Sequence, residues 1–189
     1  MTDAAIGAPL RGQLHDATDP DLVARWMAGD ERCATLLVGR HADAVARFVN
    51  SLGARHDVED LVQDTFVRAF GAIDQFRGES SLRTWLFTIA RRLVLDQRRT
   101  DRRQGEQVEV RDGDVRTAFD ALDTVVADET ERRLHDAVAR LTPTQREVFV
   151  LRVGEGMSYQ EIAESVDTTE GAARVHYHNA MRAIKELLR

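Results

Sequence analysis

Cysteine is almost missing from this chain: Cys33 stands alone among 189 residues, which excludes an internal disulfide and any multi-cysteine zinc site. A small buried apolar residue is its simplest role, and a reducing compartment suits it. Long apolar runs are missing too. None approaches the roughly 18 residues of a membrane span, and positions 1–18, read as a tail, lack the basic-then-apolar order of a secretory signal. A soluble, cytoplasmic protein is expected. The chain also lacks a glycine-rich phosphate loop, a nucleophile with a paired base and a metal-ligand cluster, so neither an enzyme nor a cofactor or metal binder is expected. Lysine is reduced to Lys185; arginine carries nearly all the positive charge, a skew that reflects genome composition more than mechanism. The formal net charge of -6 argues against coating nucleic acid by bulk electrostatics, so any contact with it must come from local basic patches.

The pattern that is present is helical. Strand-like alternation is absent, and 43% hydrophobic content is enough for real cores, so the fold class expected is all-α. Asp19-Pro20 reads as a cap and first-turn proline opening a helix that Gly29 closes. A second helix runs from about Glu31, with Leu36, Leu37, Ala44, Val45, Phe48 and Leu52 at helical spacing and Gly53 as its stop. Asp57 can cap a third, whose apolar stripe leaves Asp60, Gln63, Asp64 and Val67 on another face. After Phe76 to Ser81 breaks the pattern, a serine caps a fourth helix to about Arg103, with Trp85, Leu86, Ile89 and Leu93 on one side and arginines on the others. Residues 19–103 thus form one helical bundle. Residues 104–127 shift to an acidic composition and read as a linker, either a solvated tether or one whose charge has its own binding role.

Residues 128–189 follow a separate grammar. One helix runs to Leu141, and Thr142-Pro143 opens another that ends near Gly154. Ser158 and Glu161 form a capping box for a short helix, Val166-Asp167-Thr168 a turn, and Thr169 the cap of a last helix to Leu188. This is the outline of a helix-turn-helix, with Ala173, Tyr177, Ala180 and Ile184 inward and Arg174, Val175, His178 and Asn179 outward. His176 and His178 invite a metal reading, but residues two apart on a helix point about 200 degrees apart and cannot share one ion.

These motifs carry a resemblance. The segments Asp60-Leu-Val-Gln-Asp64-Thr-Phe66 and Phe76-Arg-Gly-Glu-Ser-Ser-Leu-Arg-Thr-Trp85-Leu-Phe-Thr-Ile-Ala90 resemble regions 2.2 to 2.4 of the extracytoplasmic-function (ECF) sigma factors, promoter-specificity subunits of bacterial RNA polymerase. Leu141 to Val148 and Ser158 to Ala163 resemble region 4, wording that response-regulator output domains share. The resemblance implies a sigma factor that binds core polymerase, helps melt the -10 element and reads the -35 element. A stand-alone helix-turn-helix regulator is the other reading. By resemblance, Asp60, Gln63 and Asp64 meet the clamp coiled coil of the polymerase β′ subunit, and the core assembly including β is the partner. Arg77, Ser80 and Ser81 cradle a flipped promoter base, and Arg83, Arg91, Arg92, Arg98 and Arg99 are the contacts to -10 DNA. Arg174, Val175, His178 and Asn179 read the -35 element. Trp85, lying on the apolar stripe, is expected in the core rather than stacked on a base. Arg92 departs from the family, where asparagine is common, and the positions of Val175, His176 and Asn179 are more often serine, arginine and arginine. No appended sensory domain is expected after the last helix, and the resemblance implies control by a separate anti-sigma factor that occludes both DNA-binding domains.

Overall fold

The computed structural model describes residues 14, 16–54, 58–103 and 129–188, and every regular element among them is helical. The acidic linker 104–127, nearly all of the tail 1–18 and the expected cap Asp57 lie outside these residues. Four helices build the N-terminal half: α1 (Asp19–Met27), α2 (Arg32–Ser51), α3 (Val58–Gly71) and α4 (Leu82–Arg103), with a 3-10 turn at Ile73–Gln75. The cap of α1 is Thr18, one residue before the expected Asp19: the Thr18 Oγ1 accepts from the Asp21 amide, and the Asp21 carboxylate accepts from the Thr18 amide in return. Asp19 is thereby released for another task, holding α1 on α2 through Arg40 at 2.9 Å and His41 at 2.7 Å. Gly53 stops α2 at a φ of 67°, a left-handed conformation that favours glycine. Ser81 caps α4, its Oγ accepting from the Thr84 amide at 3.1 Å.

Apolar faces at helical spacing bring these helices together. Trp26 meets Phe70 with ring centroids 4.9 Å apart, joining α1 to α3, and Phe48 meets Phe87 at the same distance, joining α2 to α4. Phe87 and Ala90 are fully buried, whereas Trp85 is half-buried and packs its ring on Phe76 at 5.2 Å. The buried side of α4 is therefore rotated slightly from the stripe expected, with Trp85 at its margin. Cys33 is completely buried, and burial, followed by the neighbouring Asp30 carboxylate, pushes its thiol pKa up. This accords with a packing role.

The C-terminal half contains α5 (Glu129–Ala139), α6 (Pro143–Phe149), α7 (Tyr159–Val166) and α8 (Glu170–Leu187). Beyond Phe149 the backbone widens into a π turn over Val150–Gly154, so that the Glu155 amide donates to the carbonyl of Val150, five residues back. The capping box of α7 is present as expected, with Ser158 and Glu161 bonded reciprocally, and Thr169 caps α8 through the Ala172 amide at 3.2 Å. Asp167 makes the turn between α7 and α8 at a φ of 55°. A short polar side chain tolerates this conformation and a β-branched one does not. Asp167→Val should therefore lower stability by about 1 to 2 kcal/mol, while Asp167→Gly should leave the thermal midpoint equal or higher.

One cluster consists of C-terminal residues alone: Ala137, Val138, Leu141, Phe149, Val150, Ala180 and Ile184. The larger core is shared. Val148, Leu151, Met157, Ile162, Val166 and Ala173 join the buried residues of α1 to α4 in one continuous cluster. Helix α7 lies against α4, and the Ser165 hydroxyl donates to the Thr84 carbonyl at 3.5 Å.

Candidate functional site

Three surfaces carry the residues singled out in the sequence. On α3, Asp60, Gln63 and Asp64 are all exposed, while Leu61, Thr65, Phe66 and Ala69 are buried behind them. Their spacing of three and four residues puts them on one face, and Val67, 62% exposed, extends that face by a turn. The face offers carboxylates around an exposed apolar side chain, which suits a basic protein surface with some apolar character.

The second surface is α4 and the loop before it. Arg77 is exposed, Ser80 is half-buried and Ser81 is exposed while capping the helix. Arg92 and Arg99 are exposed, and Arg99 meets the exposed Asp96 at 3.6 Å. The other three arginines are engaged inside the molecule. Arg98 donates to the carbonyls of Leu52 and Gly53 at the C-terminal end of α2, where a cation is favoured by the helix dipole. Arg91 pairs with Glu147 of α6 at 2.8 Å. Arg83 pairs with Glu155 after the π turn, donates to the Glu155 carbonyl at 3.0 Å and lies over the Phe87 ring. Burial, reinforced by the positive charge of Arg47, lowers the Arg83 pKa against the opposing pull of Glu161, yet a guanidinium stays charged. The residues placed together by sequence thus fall into two sets: Arg77, Arg92 and Arg99 outward, and Arg83, Arg91 and Arg98 bound within the fold.

The third surface is α8. Arg174, Val175 and His178 are exposed and Asn179 is half-buried, its Oδ1 accepting from Arg182 at 3.4 Å. Arg174 is not a loose side chain, because Glu170 holds it at 2.7 Å and its guanidinium lies 4.6 Å from the Tyr159 ring centroid. The Arg152 guanidinium approaches the same ring at 4.7 Å. Tyr159, at the start of α7, therefore positions Arg174 by cation–π attraction. Sequence reasoning missed it because the contact depends on the angle between two helices, which periodicity does not report.

Comparison with known proteins decides among the readings of this arrangement. The model of "Sigma-70 region 2" matches residues 37–104 and that of "Sigma-70, region 4" matches residues 131–184. An ECF RNA polymerase sigma-E factor of Haemophilus influenzae is 33% identical over 177 residues, covering 89% of this chain and 94% of that protein. The chain belongs to the ECF sigma factors of the sigma-70 family. It is a promoter-directing sigma factor, and the stand-alone regulator is set aside, because both sigma regions occur in one chain and relatives match it nearly end to end. Among solved structures, CnrH in complex with the cytosolic domain of CnrY is 28% identical, with a TM-score of 0.65 over 90% of this chain and 96% of that one. The sigma factor RpoE of Bartonella quintana, in complex with the anti-sigma factor NepR, is 27% identical, with a TM-score of 0.64 over 82% of this chain and 95% of that one. The acidic face of α3 and the arginines of α4 therefore belong to region 2, and α7 and α8 to region 4. Among the described residues no helix of this sigma factor is long and apolar enough to cross a membrane.

Proposed function

We propose that region 2 docks on core RNA polymerase through Asp60, Gln63 and Asp64 and engages the -10 element through the loop Arg77 to Ser81 and the arginines of α4. Region 4 reads the -35 element through Arg174, Val175, His178 and Asn179. The division of charge along the fold carries this reading: carboxylates are exposed on α3, guanidiniums on α4 and a mixed polar face on α8. Carboxylates suit a basic protein partner, and guanidiniums neutralise phosphates. The protein does no chemistry itself and works in the cytoplasm, where polymerase and promoter are found. Arg98, spent on the carbonyls that end α2, serves region 2 by fixing α4 rather than by meeting DNA first.

Region 4 has few cations to bind DNA alone: from Thr142 onward Arg146, Arg152, Arg174, Arg182, Lys185 and Arg189 face seven carboxylates, Glu147, Glu155, Glu161, Glu164, Asp167, Glu170 and Glu186. Affinity comes instead from tethering to polymerase and from contact at two promoter elements at once. A separate anti-sigma factor is the expected regulator, a reading supported by the Bartonella quintana sigma factor solved in complex with one. Arginine and asparagine can each make bidentate contacts with a base, worth about 1 to 3 kcal/mol of discrimination. Substituting Arg174 or Asn179 by alanine should change which -35 sequences a reconstituted holoenzyme transcribes, by about tenfold or more, with polymerase affinity unchanged. Promoter choice indifferent to both would refute the register of α8. Tyr159→Ala should weaken the same -35 preference by about threefold through Arg174, because an exposed cation–π contact contributes about 0.5 to 1 kcal/mol, while Tyr159→Phe should retain it.

A further inference from the structure

Val175, His178, Asn179 and Arg182 follow one another at intervals of three and four residues and share one face of α8. Val175 is the apolar member of that face, 57% exposed. The fold does not call for it, because α8 is anchored by the buried Ala173, Ala180 and Ile184, and a β-branched side chain is a poorer helix former than alanine. A lone exposed valine is ordinary on a protein surface. On a helix assigned to the major groove its neighbours give it meaning: Arg174 precedes it, held by Glu170 and by the Tyr159 ring, and Asn179 stands one turn beyond it.

We infer that Val175 is a specificity-determining residue that reads a thymine methyl group in the -35 element, with Asn179 reading an adenine close by, an inference that rests on the assignment of α8 to that element. Each base pair shows a different edge in the major groove, and thymine alone shows a methyl group there. Valine has neither donor nor acceptor. Placed over guanine, or over the amino group of cytosine, it would strip water from a polar edge and return no hydrogen bond, whereas over thymine it buries apolar surface on both sides. Serine, which the family more often has at this position, can hydrogen-bond to more than one base edge and lacks this preference. Four residues along the helix are a rise of about 6 Å, close to twice the roughly 3.4 Å between base pairs, so Asn179 meets the duplex a base pair or two away. Its side chain can accept from the adenine N6 amino group and donate to N7. The Oδ1 already accepts from Arg182 at 3.4 Å, which favours this sense of the amide and leaves a second lone pair for that amino group. Over guanine the same Oδ1 would face the O6 acceptor. Where arginine would choose guanine, asparagine chooses adenine.

Removing single methyl groups from the promoter tests this directly. A promoter transcribed by the reconstituted holoenzyme, its -35 element selected from a random pool, is remade with each thymine on either strand of that element replaced in turn by deoxyuridine, which lacks only the methyl group. Holoenzyme affinity for one such duplex should fall about fourfold, the effect of one buried methyl group. Val175→Ala, which favours the helix, should bind the thymine and deoxyuridine duplexes within about twofold of each other. At the same position, 5-methylcytosine should bind better than cytosine to the wild-type holoenzyme and no better to the Val175→Ala holoenzyme, a gain beside the loss. Asn179→Arg should move the preference at its own position from adenine to guanine by at least about tenfold. Deoxyuridine without effect at every position, or an element without thymine, overturns the role of Val175, while a response to Asn179→Arg upholds the assignment of α8. A deoxyuridine effect that persists in Val175→Ala means that another group senses the methyl, and also overturns that role. Indifference to Asn179→Arg, Arg174→Ala and Val175→Ala alike overturns the assignment of α8 itself.

Discussion

Reversing the charge of α3, with Asp60→Arg and Asp64→Arg together, should weaken binding to core polymerase by at least about 100-fold, or about 2.7 kcal/mol, without unfolding the protein. Both carboxylates are exposed and the buried face of α3 is formed by other residues, Leu61, Thr65, Phe66 and Ala69. Surface substitutions of this kind usually change stability by no more than about 0.5 kcal/mol. The two readouts therefore separate. Reversal places like charges against a basic partner, whereas alanine would only remove an attraction, so Asp60→Ala with Asp64→Ala should show the smaller loss. Gln63, one turn along the same face, adds an amide whose loss should cost less than either reversal. Affinity measured by competition for core polymerase, alongside a thermal melt of each variant, checks the prediction. An unfolding midpoint lowered in parallel with affinity would mean that the acidic face serves the fold and not the partner.

The largest stability effect should come from Phe87. Its side chain is completely buried and packs on Phe48, also completely buried, with ring centroids 4.9 Å apart. Phe87→Ala should cost about 3 to 5 kcal/mol, the range for deleting a buried aromatic ring and leaving a cavity. Trp85→Ala should cost less, although tryptophan is the larger side chain, because Trp85 is half-buried and rests mainly on Phe76 at the edge of the core. Urea unfolding of the two variants ranks them. A larger loss for Trp85→Ala would place the functional weight of that ring inside the core after all and would contradict the packing described.

This pair also shows what the sequence could and could not tell. Periodicity located α4 and its serine cap, but a stripe wide enough to include Leu82, Leu86, Phe87, Ala90, Leu93 and Val94 does not reveal where its centre lies. The centre is set by the partners, here α2, α3 and α7. The capping boxes and turns of region 4 were legible because they are local: Ser158 with Glu161, Thr169 and Asp167 act within a few residues of themselves. The exposed character of Asp60, Gln63, Asp64, Arg174, Val175 and His178 was legible for the same reason, since the face of an amphipathic helix follows from spacing. Ion pairs between residues far apart in sequence were not. Nothing near Glu147 or Glu155 announces Arg91, Arg83 or Arg47, and the seven carboxylates from Thr142 onward look equivalent until two of them are found buried. Arg98 escaped in the same way, because the carbonyls it reaches belong to the end of another helix.

The exposed and the engaged arginines give Arg92 a distinct standing. It remains at the surface of α4, and among the described residues its guanidinium need not break an internal contact to bind phosphate or a base. Arg83 and Arg91 are instead paired with Glu155 and Glu147 of region 4.

The most direct measurement is multi-round transcription by core RNA polymerase from a pool of random promoter sequences, with and without this protein, followed by sequencing of the transcribed templates. The account predicts start-site-specific transcripts that require the protein and share two sequence elements about 25 base pairs apart, a spacing of roughly 80 Å along the duplex. Substitution of Arg92 should change the element nearer the start site, and substitution of Arg174 the farther one. Transcripts that do not depend on the protein, or a single enriched element that is blind to both substitutions, would contradict the division of labour between region 2 and region 4.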